Sequence, residues 1–246
     1  MSARTYPLRA EWAKFATLRS LWAAPLLAVV LGAGITAAVQ AAYGHSDDSL
    51  RDDPMEGLYY GLNFGQVAVA CLGVLLIGQE YASGTLSTSL AAVPDRLRFY
   101  RAKLLLGTAL GLAVGLATVG GQLAATAATV GLDLTAPGTA RALAAGVLYH
   151  PLLLVLCLAL TTVLRNQTAA LGLLTPAVFL GTTALAAVPG LREAAQFLPD
   201  RAGQYALRLA DTPGVHYGHT TGLLLMTAWT AAAALGGLRS LRRKDA

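Results

Sequence analysis

A chain of 246 residues that is 55% hydrophobic and 13% charged carries too few charges to coat a globule in water, since soluble domains sit near 25%. Its mean hydropathy of +0.56 and its six long apolar runs exclude an ordinary soluble enzyme and read as an all-α integral membrane protein. The pI near 9.4 reflects charges placed around those runs, so the basic balance is no nucleic-acid footprint.

Taken in chain order, residues 5–20 come first. Leu8, Trp12, Phe15 and Trp22 recur at helical spacing, with Arg9 and Lys14 off that stripe. The pattern predicts an amphipathic helix in the headgroup layer, with an unstructured tail as the alternative. Arg19 falls on the stripe and would snorkel. Spans follow at 22–43, 57–78, 104–131, 142–164, 168–188 and 219–238. Each has the about 20 apolar residues that crossing a bilayer takes, and helices are expected because lipid offers the backbone no other partner. Val39-Gln40-Ala41 loosely resembles a signal cleavage site, but Leu21 to Tyr43 exceeds the roughly 7–15-residue core of a signal peptide. An uncleaved first span is therefore expected.

The third span carries Gly107, Gly111 and Gly115 in four-residue steps. Such a stripe lets backbones approach closely, either within the subunit or, less simply, at a dimer seam. Pro151 and Pro176 fall inside spans and should bend them. Cys71 and Cys157 read as small buried hydrophobes. Between the last two spans, residues 189–218 mix Phe197, Leu198, Tyr205, Leu207 and Leu209 with Arg201, Gln204 and Arg208. Two short helices, over Leu191–Leu198 and Asp200–Leu209 and dipping into the outer leaflet, are expected there.

Charge sets the orientation. Thirteen basic residues (Arg4, Arg9, Lys14, Arg19, Arg96, Arg98, Arg101, Lys103, Arg165, Arg239, Arg242, Arg243, Lys244) flank the spans on one side. Five (Arg51, Arg141, Arg192, Arg201, Arg208) fall on the other, with Asp47, Asp48, Asp52, Asp53 and Glu56. The positive-inside rule puts both termini in the cytoplasm.

No catalytic chemistry is visible, and no enzyme is expected. The three lysines follow Ala13, Ala102 and Arg243, so no phosphate loop ending in Gly-Lys-Ser/Thr exists. Zinc-spaced Cys or His, His-Glu-x-x-His and Gly-x-Ser-x-Gly are absent from the sequence too. The spans read as poor in polar groups. His150 sits toward the outer end of its span, as a headgroup or helix-packing partner or, alternatively, a proton relay. Glu80 and His150 belong near opposite faces and could not share a protease site.

The cytoplasmic loop 79–103 is the informative stretch. Gly84 permits a sharp turn, Thr85 or Ser83 could cap a short helix from Leu86 to Val93, Pro94 stops it, and Asp95 caps the next segment. Glu80 sits at the lipid boundary, where it either pairs with Arg96, Arg98 or a partner's basic residue, or simply marks the end of the span. The run Glu80-Tyr81-Ala82-Ser83-Gly84-Thr85, then Pro94-Asp95-Arg96 and Ala102-Lys103, resembles the ABC type-2 transporter permeases. So does the entry Glu11-Trp12-Ala13-Lys14-Phe15-Ala16-Thr17-Leu18-Arg19-Ser20, with Phe15 where that family usually has Leu.

The resemblance implies six transmembrane helices in one domain over 1–246, an interfacial helix carrying Trp12, Lys14, Phe15 and Arg19, and a coupling helix between spans two and three. It assigns ATPase coupling to Glu80, Tyr81, Gly84, Thr85, Leu90, Pro94 and Arg96. ATP and Mg²⁺ would be bound by a separate ATPase, in two copies, and this chain would hold no cofactor or metal. The permease would pair with a second copy or a similar chain in a bacterial cell membrane. Its Ala, Arg and Gly bias fits an actinomycete. The implied function is export of a hydrophobic or amphipathic antibiotic, lipid or peptide. The alternative is a non-transporting membrane assembly factor or sensor.

Overall fold

The computed structural model describes residues 6–46, 53–131, 134–188 and 190–243. Expectations attached to Arg4, Asp47, Asp48, Arg51, Asp52, Pro189 and Lys244, and to the side chains of Arg19 and Arg192, lie outside the described residues.

The described residues are helical with no strand, as a chain with no water to satisfy its backbone requires. The helices are α1 (Tyr6–Thr17), α2 (Arg19–Tyr43), α3 (Pro54–Leu58), α4 (Leu62–Ala82), α5 (Leu86–Ala92), α6 (Arg96–Thr129), α7 (Thr139–Leu164), α8 (Gln167–Pro176), α9 (Thr182–Ala187), α10 (Arg192–Ala195), α11 (Pro199–Tyr205) and α12 (His219–Arg243). Five of them, α2, α4, α6, α7 and α12, are long and apolar enough to cross a membrane, the layout of a multi-pass helical membrane protein.

The fifth apolar run departs from the single uninterrupted helix expected over 168–188. It is helical in three pieces, because a wider π-turn over Ala177–Gly181 separates α8 from α9. Pro176 lies immediately before it. Proline has no N–H to donate, and the chain accommodates the missing bond by widening the next turn. Pro151, by contrast, sits inside an unbroken α7. The 34 residues of α6 would span about 51 Å at 1.5 Å per residue, against roughly 30 Å of hydrocarbon. One end of α6 therefore projects well past the apolar layer, and it begins at Arg96, eight residues before the expected start of the span.

The hub is α7, which packs against α4, α6 and α12. Its Tyr149, Leu153, Leu154 and Leu158 are fully enclosed. Gly107, Gly111 and Gly115 of α6 all face α7: a Cβ would stand 3.0 Å from Leu154 Cδ2 at Gly107, 2.9 Å from Pro151 N at Gly111 and 2.5 Å from Val147 O at Gly115. Val147 is four residues before Pro151, so its carbonyl lacks the usual helical donor and lies open to the close approach at Gly115. Outward, α2 exposes Leu26, Leu27 and Val30, and α12 exposes Leu224, Trp229 and Leu235.

Candidate functional site

At one end of the bundle, α4 leaves the apolar layer, turns at Gly84 and continues into α5. Gly84 has φ +69° and nothing within 4 Å of where a Cβ would stand. Its glycine answers to backbone conformation, not to crowding. Thr85 precedes α5 but makes no side-chain cap bond. Its hydroxyl pairs at 2.8 Å with that of Ser83, which lies 2.7 Å from Gln79 O. The hydroxyls thus brace the turn and leave the first turn of α5 uncapped. After α5 the chain passes Pro94, and Asp95 Oδ1 accepts from Leu97 N at 3.0 Å and Arg98 N at 3.2 Å, starting α6. The connection between α4 and α6 is therefore 83–95, shorter than the expected loop 79–103.

Glu80 is 6% exposed, and its partners are not Arg96 or Arg98. Arg98 pairs with Asp95 at 3.1 Å on the surface, and Arg96 reaches Leu241 O at 2.5 Å in the last turn of α12. Glu80 Oε1 instead accepts from Lys103 Nζ at 2.7 Å and Lys14 Nζ at 2.8 Å. Glu11 completes the group, taking Lys14 on Oε1 at 2.9 Å and Lys103 on Oε2 at 2.6 Å. Lys103, 2% exposed, also donates to Leu76 O at 2.9 Å. Lys14 also donates to Ser89 Oγ at 3.2 Å. Two carboxylates and two ammonium groups thus form a formally neutral cluster joining α1, α4, α6 and α5. One acceptor is left over: Glu80 Oε2 is buried without a hydrogen-bond partner. Burial alone would lower the Lys14 pKa, but the hydrogen bonds and charges of Glu80 and Glu11 outweigh it and hold the pKa above its ordinary 10.5.

The remaining expected residues surround this cluster. Phe15 is buried, stacked obliquely between Trp12 (5.8 Å) and Trp22 (4.9 Å), both exposed. The inward face of α1 is therefore Pro7, Glu11 and Phe15, while Leu8 and Trp12 of the expected stripe face outward. Tyr81 is half-buried, with its hydroxyl 3.5 Å from Thr162 O and its ring 5.9 Å from the Arg165 guanidinium. Leu90 packs against the core and Pro94 is exposed. Glu11 and Lys103 are the functional candidates that sequence reasoning passes over as such. Both stand inside the quoted motifs. A charged residue entering an apolar run is itself a signal of pairing, but Glu11 and Lys103 are 92 positions apart and their meeting depends on how α1 crosses α6.

The opposite end holds the second polar assembly, which corrects the expectation of spans poor in polar groups. Gln66 Oε1 on α4 accepts from Tyr149 on α7 at 2.5 Å and from Gln204 on α11 at 3.2 Å. Gln66 Nε2 donates to Val178 O in the π-turn at 3.3 Å. Outside it, Asp53 Oδ2 accepts from Leu209 N and Ala210 N at 2.9 and 3.0 Å, Arg208 pairs with Glu56 at 3.0 Å, and Arg141 donates to Ala206 O at 2.6 Å. The expected short helices shrink to α10 and α11, and α11 packs on α12 with Tyr205 stacked on His219 at 4.5 Å. His150 is 1% exposed, near the middle of α7, with Nδ1 2.9 Å from Gly146 O, a helix-packing position well inside the expected outer end. No group of three His, Cys, Asp or Glu that could hold a metal occurs among the described residues.

No protein-family model and no curated protein matches the chain.

Proposed function

We propose that the chain is the membrane-embedded half of an ATP-driven exporter of the ABC type-2 kind, which moves a hydrophobic or amphipathic molecule out across a bacterial cell membrane. In this reading the interrupted segment from Gln167 to Ala187 is the sixth span, and α5, α1 and both termini face the cytoplasm. ATP and Mg²⁺ belong to two copies of a separate ATPase, and a second permease chain completes the pathway.

One observation carries the reading. The short helix α5 lies outside the apolar spans, and its Ser89 accepts from Lys14, a member of the Glu11–Lys14–Glu80–Lys103 cluster that joins α1, α4 and α6. A force applied to α5 would reach these helices through that bond and through the packing of Leu86 and Leu90 against the core. Arg96, the first residue of α6, donates to Leu241 O in the last turn of α12 and extends the connection to the final span. This is the mechanical property that an engine supplied by another polypeptide needs. Buried charge pairs of this kind contribute little net stability against apolar replacements, which favours a role in geometry over one in stability alone.

The test uses α5 itself, because Glu80 is buried in the cluster and Arg96 is committed to α12. Ser87 and Ala91 are exposed. The double variant Ser87→Asp, Ala91→Asp should lose association with the partner ATPase and lose export, with thermal unfolding unchanged. Wild-type association and export in that variant would remove the coupling role. Failure of the wild-type chain to co-purify with any ATPase would favour a non-transporting assembly factor or sensor.

A further inference from the structure

Beneath α1 lies a cavity of about 660 Å³, bounded by the ends of α4 and α6 and by α5. Its size is that of a small-molecule site, and its walls are chemically divided. Phe15, Leu18, Leu21, Phe99 and Leu106 form an apolar side; Lys14, Thr88 and Ser89 form a polar rim. Glu11, Glu80 and Lys103 stand at its base. We infer that this cavity seats the headgroup of one zwitterionic, primary-amine phospholipid of the phosphoethanolamine class. The inference rests on the protein lying in a membrane and is independent of the transport reading.

Charge selects the head. The cluster contains two carboxylates and two ammonium groups, so a purely anionic head would face Glu11 and Glu80 and a purely cationic one would face Lys14 and Lys103. A head carrying both signs a few bonds apart meets both. The bond most readily exchanged is Lys14 to Ser89, the longest of the three Lys14 makes at 3.2 Å and the exposed one. A phosphate oxygen taking that place on Lys14 would accept from the Ser89 and Thr88 hydroxyls as well. The unsatisfied acceptor is Glu80 Oε2, which is shut off from the cavity, but its side chain lines the cavity, so a turn of the carboxylate presents it there. A buried charged acceptor without a donor is costly, and a primary ammonium supplies donors that a quaternary one lacks.

The tails have a path too. Leu18, Trp22 and Leu26 succeed one another at four-residue steps from the cavity wall up α2, exposed by 42%, 42% and 62%. An acyl chain lying on that stripe leads from the cavity into the bilayer.

The experiment reconstitutes the full chain in nanodiscs with equal parts of phosphatidylethanolamine, phosphatidylglycerol and phosphatidylcholine, then counts retained lipids by native mass spectrometry after gentle detergent release. One phosphatidylethanolamine per chain should persist, by at least about tenfold over either competitor, since hydrogen bonds to charged groups are worth about 1.5–3 kcal/mol. Ala92→Phe, which fills the cavity from α5, and Ser89→Ala, which removes a headgroup partner without changing charge, should each cut that retention, with tryptophan-monitored unfolding confirming the fold. Equal or greater retention of the other two lipids overturns the proposal, as does unchanged retention in a folded variant of either kind. Soluble phosphoethanolamine is the control for the tails: a thermal shift as large as the lipid's overturns the lipid assignment.

Discussion

Replacing Lys103 by Met keeps the length and volume of the side chain but deletes the ammonium group that sits between Glu11 Oε2 at 2.6 Å and Glu80 Oε1 at 2.7 Å. Lys103 is only 2% exposed, so its loss leaves two carboxylates with few partners in a mostly buried site. The two would then share that site with Lys14 alone, and Leu76 O would lose its side-chain donor. Removing one partner of a buried pair costs about 3–5 kcal/mol because the other charge is left uncompensated. For comparison, Arg98→Ala breaks the Arg98–Asp95 pair, whose side chains are 63% and 49% exposed, and should cost no more than about 1 kcal/mol. The assay is urea unfolding in detergent micelles, followed by tryptophan fluorescence, which reports α1 and α2 through Trp12 and Trp22. Lys103→Met should lose several-fold more stability than Arg98→Ala, and adding Glu80→Gln should restore part of the loss by removing one of the stranded charges. Equal stability of the two single variants would mean that Lys103 is not the partner that holds Glu11 and Glu80 in place, and would refute the pairing.

The glycine stripe gives a second test. Gly115→Ala places a methyl group 2.5 Å from Val147 O, and backbone cannot step aside, so a loss of about 1–3 kcal/mol is expected. Gly120→Ala, with nothing within 4 Å, should instead gain up to about 1 kcal/mol from helix propensity; both are read by the same urea midpoints. The third test concerns pH. The Lys14 pKa is raised in the folded state, so its contribution is fully present below the unfolded value of about 10.5 and is lost as pH rises through the folded value. The stability gap between wild type and Lys14→Met should therefore hold constant at neutral and mildly alkaline pH and narrow only above about 10.5; a gap that closes near neutrality would refute the pairing.

The features legible in the sequence are those set by patterns local to one helix. Apolar runs of the right length mark α2, α4, α6, α7 and α12. Gly84, Pro94 and Asp95 mark the ends of α5 and the start of α6, because turn conformation, a missing N–H and an Asp cap act within a few residues. The fifth run reads as one helix because hydropathy does not register hydrogen bonding. Pro176 signals bending, but whether a proline bends a helix, passes unbroken as Pro151 does, or widens the following turn depends on what surrounds it. Here Gln66, more than a hundred positions earlier, donates to Val178 O inside the widened turn.

The same distinction explains why sequence proximity points Glu80 at the wrong cations. Arg96 and Arg98 are its near neighbours in sequence, and a loop of uncertain course would let either reach it. Once α4 continues to Ala82 and α6 begins at Arg96, both arginines project beyond the layer where Glu80 sits. Lys103, seven residues further into α6, lies level with Glu80 across the helix pair, and α1 brings Glu11 and Lys14 over the top. Helix length therefore decides the partner: each turn by which α6 extends past the apolar layer carries one set of basic residues out to the surface and leaves another facing the carboxylates. The arginines so displaced act elsewhere, Arg96 on the carbonyls that end α12 and Arg98 on Asp95. The charge cluster between α1, α4 and α6 and the bond from α6 to α12 thus arise from a single fact, that α6 starts at Arg96 and not at the lipid boundary.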